Sequence, residues 1–247
     1  MQVVEGLLAA AIGLFVGSAV WVVSRQRATD RPLRAGGSCA NPRCGVPLPS
    51  ASWLPLFGFG RVRRCPVCAA AEPQGRVIFE LAVAGYYALA VARFAGDHLP
   101  HVATLVFAVP LLVILLIDRW TQVVDREVVA AGFAVGIALA AVNGRYALFD
   151  AMIAALAAAG ALTVAGWIAS ALDRSARVVA VGRRDIYLAA MVGAMVRETG
   201  VVGFLLLSVA LLGLSRVVIA GGGSAAPGVG LTVGACLCVA ALTMIVR

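Results

Sequence analysis

Eight apolar stretches punctuate the chain, at roughly 3–23, 77–95, 101–117, 124–142, 147–171, 185–196, 201–219 and 229–246. A helix rises 1.5 Å per residue, so about 20 apolar residues cross the roughly 30 Å hydrocarbon core of a bilayer. The sixth stretch is short for a full crossing, which leaves seven spans as the alternative count. With 62% hydrophobic and only 13% charged residues, the chain lies far from the quarter-charged average of soluble domains. These runs predict an all-α polytopic membrane protein of about eight transmembrane helices. They leave room for one modest soluble module among the 247 residues.

The first stretch is not laid out as a secretory signal peptide. Its N-terminus, MQVVEG, carries no positive charge, and Arg25 and Arg27 lie directly behind the apolar run. The expected arrangement is a retained anchor with its N-terminus outside. All twenty cationic residues are arginine, and under that orientation sixteen of them fall in or beside cytoplasmic connections. Only Arg93, Arg145, Arg197 and Arg247 fall outside, a strong positive-inside asymmetry. The arginines are spread over several short loops without interleaved aromatics, so the basic balance speaks for topology and headgroup contact in a lipid bilayer, and against nucleic acid.

Residues 25–76 form the expected soluble module, holding seven of the ten prolines together with Gly36, Gly37, Gly45, Gly58 and Gly60. Turns should dominate there over long helices. Within it lie Cys39-Ala-Asn-Pro-Arg-Cys44 and Cys65-Pro-Val-Cys68. Two turns that each present a pair of thiolates supply the four soft ligands of tetrahedral zinc, and a four-thiolate site is closed and therefore structural. A reducing compartment disfavours disulfides. Disulfides and unligated thiols remain the alternatives. Cys236 and Cys238, inside the last apolar stretch, read as small packing residues.

Ionisable groups inside spans are costly and mark functional candidates. Six carboxylates lie in or at the ends of the apolar stretches: Glu5, Glu80, Asp118, Asp125, Asp150 and Asp185. Glu5 and Asp150 are near outer ends where water is close. Asp118 ends the third stretch on the cytoplasmic side and Asp185 begins the sixth on the same side. Two carboxyls that share a site cannot both ionise easily, so one keeps a proton while the other acts as a base towards water. Salt bridges to Arg119 and Arg184, or simply solvated helix ends, are the competing reading.

The order of phrases resembles the type IV prepilin peptidases, intramembrane aspartic proteases. GLFVGSAVWVVSRQR at 13–27 is similar to that family's opening helix. The stretch from Cys39 to Cys68, with Trp53-Leu-Pro-Leu56 inside it, is similar to its four-cysteine cytoplasmic loop. RVIFELAVAGYYALA resembles the segment that carries the family's glutamate, placing Glu80 there. LLIDRWTQVVDRE resembles IDLxTxxLPD, VGRRDIYLAAMVGA resembles GxGDxKLLAALGA, and SAAPGVGLTVGA resembles the closing PFGPFLALGA.

The resemblance implies a division into a first helix at 1–24, a cytoplasmic zinc-binding module at 25–76 and a peptidase domain at 77–247, in the inner (plasma) membrane. It implies Asp118 and Asp185 as the catalytic pair, pilin-like precursors as substrates, and structural zinc on Cys39, Cys44, Cys65 and Cys68. Members with the cysteine loop also methylate the new N-terminus from S-adenosylmethionine, although the chain has no glycine-rich nucleotide fingerprint.

Four positions depart from the pattern: Arg184 replaces the glycine beside the second aspartate, Tyr187 the lysine after it, Val124 the proline before Asp125, and Trp21 the first-helix asparagine. Arginine bends less freely than glycine and favours an ionised neighbour. These departures keep open a catalytically inactive member that acts as a membrane assembly subunit. A small transporter is a further alternative, although the chain shows no internal symmetry.

Overall fold

The computed structural model describes residues 2–29, 31, 37–39, 41, 43–48, 54–56, 64–70, 75–93, 98–121, 124–142, 144–172, 183–196, 203–205, 207–208, 237–239 and 241–242. For 2–3, 98–104 and 168–172 the backbone alone is described. The described residues carry long helices and no strand; turns make up the cysteine stretch, where Ser38 and Pro47 form an isolated antiparallel bridge.

Five long helices are α1 (Gln2–Ala28), α2 (Gly75–Arg93), α3 (His98–Thr121), α4 (Arg126–Val142) and α5 (Arg145–Leu172). Residues 183–196 form a sixth, α6. Helical turns at 203–205, 207–208, 237–239 and 241–242 fall in the seventh and eighth apolar stretches, most of which lie outside the described residues. Three segments are long and apolar enough to cross a membrane: Val4–Ala28, Gly75–Arg93 and Arg145–Trp167. At 1.5 Å per residue the shortest of them is about 28 Å long, close to the thickness of the hydrocarbon core.

The chain divides into two compact units, Met1–Val109 and Pro110–Arg247. In the first, α1 lies against α2 through small residues. A Cβ on Gly13 would stand 2.8 Å from the Cα of Ala84, and one on Gly17 would stand 3.1 Å from the Cα of Glu80. Backbones can approach that closely only where one partner lacks a side chain, a device common between helices in lipid. Trp21 is buried beside the start of α2, its ring 5.9 Å from that of Phe79. The opposite face of α1 leaves Val4, Leu8, Ile12 and Phe15 exposed, as a helix bathed in hydrocarbon would.

In the second unit α6 packs against α4 and α5 by the same means. A Cβ on Gly132 would run into Met191, and one on Gly193 would run into the backbone of Ala154. The buried face of α5 is nearly all alanine, with Ala151, Ala154, Ala155 and Ala158. Its outer face exposes Phe149, Ile153, Leu156 and Val164 between Tyr146 at 74% and Trp167 at 73% exposure. The two aromatics are about 32 Å apart along the helix, the separation of the two interfacial belts of a bilayer.

Candidate metal centre and buried carboxylates

Each cysteine pair sits on a turn that the backbone closes. Around the first, Cys39 N–H donates to Val46 O (3.0 Å) and Leu48 N–H to Gly37 O (3.1 Å), so the chain doubles back through Gly45, which has φ +64°. Within that turn Cys44 N–H donates to Asn41 O at 3.1 Å, while Asn41 N–H points at Cys39 Sγ across 3.4 Å. Around the second, Ala69 N–H donates to Cys65 O and Cys65 N–H to Ala70 O, both at 2.9 Å. Ala69 takes φ +55° to do so, a left-handed conformation that costs an L-residue energy.

Together the turns place all four Sγ atoms within 4.8 Å of one another. Cys39 and Cys68 are 3.3 Å apart and Cys44 and Cys65 3.8 Å apart, as free thiols and not disulfides. Zinc–sulfur bonds of about 2.3 Å give a tetrahedron with edges of about 3.8 Å. The donor set, its size and its closure therefore fit a four-thiolate metal ion such as zinc.

Electrostatics distinguish the four sulfurs. The N–H groups of Cys68 and Val67 converge on Cys65 and lower its thiol to about 6, favouring the thiolate a metal needs. Burial pushes the Cys39 thiol up to about 12 against the N–H of Asn41. Such a thiol gives up its proton when a cation arrives to replace it.

A second polar cluster sits between the module and the helices. Glu80 on α2 is fully buried, its Oε1 2.8 Å from Nε of Arg76 one turn earlier. Nη2 of Arg76 donates to Ser18 Oγ of α1 at 2.7 Å. The N–H of Leu56, from the stretch between the two cysteine pairs, donates to the other Glu80 oxygen at 2.9 Å. The cluster thus ties α1, α2 and the cysteine module together. Arg76 reads in the sequence as a topology-setting charge, and nothing there marks Ser18 as its partner. Their partnership depends on the depth at which α1 meets α2, and only the Arg76–Glu80 spacing of four residues signals it.

The aspartates belong to the second unit. Asp118 lies in the last turn of α3 and is only 2% exposed, and Asp185 lies half-buried near the beginning of the described part of α6. Asp125 has a local task. Its Oδ1 accepts from the N–H of Glu127 at 2.9 Å and of Val128 at 3.4 Å, the geometry of an N-cap on α4. Glu5 is exposed and Asp150 half-buried, each near the start of its helix. Cys238 is buried. Gly182, Trp53, Cys236 and SAAPGVGLTVGA lie outside the described residues.

No protein-family model, curated protein or solved structure matches the chain.

A cavity of about 620 Å³ opens beside α6. Its walls are Val124, Arg126, Glu127, Val129, Ala130 and Phe133 from the start of α4 and its approach, and Arg184, Tyr187 and Ala190 from α6. Val124, Arg184 and Tyr187 thus line the same space.

Proposed function

We propose that the chain is an intramembrane aspartic endopeptidase of the prepilin-peptidase type, with about eight spans and a cytoplasmic zinc-binding module. Its substrate would be a pilin-like precursor, cut between a short basic leader and the apolar helix that follows. The observation that carries the reading is the burial of Asp118 at the end of a 24-residue apolar helix. A carboxylate is costly to place there without a role. Asp185, half-buried on another helix of the same unit, is the partner the reading requires.

In the reaction one carboxylate takes a proton from water as that water attacks the scissile carbonyl. The other, protonated, donates to the leaving amine. Each role needs its own carboxyl, so neither residue is dispensable. Zinc, when bound, supplies folding free energy to the module and no chemistry, because four thiolates close its coordination sphere. Methylation of the new N-terminus from S-adenosylmethionine rests on the likeness of the cysteine loop alone.

The inactive assembly subunit keeps its place because Arg184 and Tyr187, in place of glycine and lysine, line a cavity next to Asp185 in sequence. Asparagine at position 118 or 185 separates the two readings. Under the peptidase reading Asp118→Asn and Asp185→Asn each abolish precursor cleavage while the chain still inserts, whereas under the other there is no cleavage to lose.

A further inference from the structure

We propose that the cavity between α4 and α6 is a binding site for an anionic glycerophospholipid, its phosphate held by Arg126 and Arg184 and an acyl chain laid along the apolar wall. The proposal does not depend on the peptidase reading.

The cavity is polarised along its length. Arg126, the first residue of α4, and Arg184, near the beginning of the described part of α6, line one end of it, and Phe133 and Ala190 lie further along. At 1.5 Å per residue those positions are about 9 to 11 Å beyond the arginines, which is the reach of the first part of an acyl chain from its headgroup. Val129, Ala130 and Phe133 on one side and Ala190 on the other offer no hydrogen-bonding side chain. Tyr187 has its body against the same space and a phenol that can reach the polar end.

Charge decides the ligand class. Two guanidiniums face one carboxylate, that of Glu127, so the lining is net positive. Among the described residues neither Arg126 nor Arg184 has an ion-pair partner. Guanidinium offers paired N–H donors that match phosphate oxygens. A neutral zwitterionic headgroup would bring its own cation to this end and gain less. Free phosphate would satisfy the arginines but leave the apolar wall empty. A volume of about 620 Å³ is ample for a headgroup and the proximal chain.

The test uses the full chain in detergent, presented with equal phosphatidylglycerol and phosphatidylcholine and read by native mass spectrometry. Phosphatidylglycerol should be retained in preference. Arg126→Gln and Arg184→Gln should each reduce that preference about fivefold, the contribution of one arginine near an anionic surface. The double variant should retain the two lipids alike. Ala190→Leu, which narrows the apolar wall without changing charge, should also weaken retention. Arg145→Gln, at the start of α5 and outside the cavity, should leave it unchanged. Millimolar inorganic phosphate should not displace the lipid. Equal retention of both lipids by the unaltered chain, an unchanged preference in a folded double variant, or displacement by inorganic phosphate would each overturn the proposal.

Discussion

The backbone N–H of Leu56 donates to Oε2 of Glu80 across 2.9 Å. Leu56 lies midway between the two cysteine pairs and Glu80 is buried in α2, so one carboxylate joins the candidate metal module to the helix pair. Its other oxygen holds Arg76. Removing the carboxylate leaves a buried guanidinium without its anion.

Glu80→Ala should therefore destabilise the chain by about 3 to 5 kcal/mol, the cost of breaking a buried pair by removing one partner. Arg76→Met combined with Glu80→Leu removes both charges and should cost much less. Thermal unfolding in detergent distinguishes the two, and equal losses would contradict the network.

Gly13 and Gly6 lie on the same helix with opposite expectations. A methyl at Gly13 meets the Ala84 backbone, whereas one at Gly6 meets nothing within 4 Å. Gly13→Ala should cost about 1 to 3 kcal/mol by forcing α1 from α2. Gly6→Ala should be neutral or slightly stabilising, since alanine is the better helix former. Urea unfolding of the reconstituted chain checks the difference.

The purified protein should carry about one zinc per chain, and Cys65→Ser should lose it. Ala69→Gly should stabilise the module by about 1 kcal/mol, because glycine adopts φ +55° without the penalty that alanine carries. Metal analysis and resistance of the 25–76 module to protease are the measurements.

The pH dependence follows from the thiols. Cys65, lowered to about 6, is already a thiolate near neutrality, while Cys39, raised to about 12, holds its proton. Zinc binding at pH 7.5 should release protons chiefly from Cys39 and the likewise raised Cys44. On acidification the thiolates are protonated in competition with the metal, so occupancy should persist above neutrality and fall as the pH drops through about 6. Calorimetry in buffers of different ionisation enthalpy reads the proton release.

The parts legible in the sequence are those carried by local pattern. The apolar run at 3–23 reappears as α1, with its helix continuing to Ala28 through Arg25 and Arg27. The two cysteine spacings reappear as two turns with converging sulfurs. Asp125 was legible as an acid but not as a cap, because the start of α4 depends on where the preceding turn ends. The Ser18–Arg76–Glu80–Leu56 cluster was not legible, because Ser18 and Arg76 are 58 residues apart and meet only through the close approach that Gly13 and Gly17 permit. The cavity arises likewise from helices far apart in sequence.

Substitutions around the aspartates grade the peptidase account. Asp125→Asn should reduce cleavage only partially, since asparagine also caps a helix. Arg184→Gly removes a bulky charge beside Asp185 and restores backbone freedom there, and should raise cleavage. A fall would mean that the arginine has been recruited into the site.

The most direct measurement is the mass of a pilin-like precursor after incubation with the reconstituted chain. The account predicts a product shortened by its basic leader, formed by the unaltered protein and absent with Asp118→Asn. An intact precursor with both the unaltered protein and Arg184→Gly, each properly inserted, would contradict the peptidase reading and leave the assembly subunit in its place.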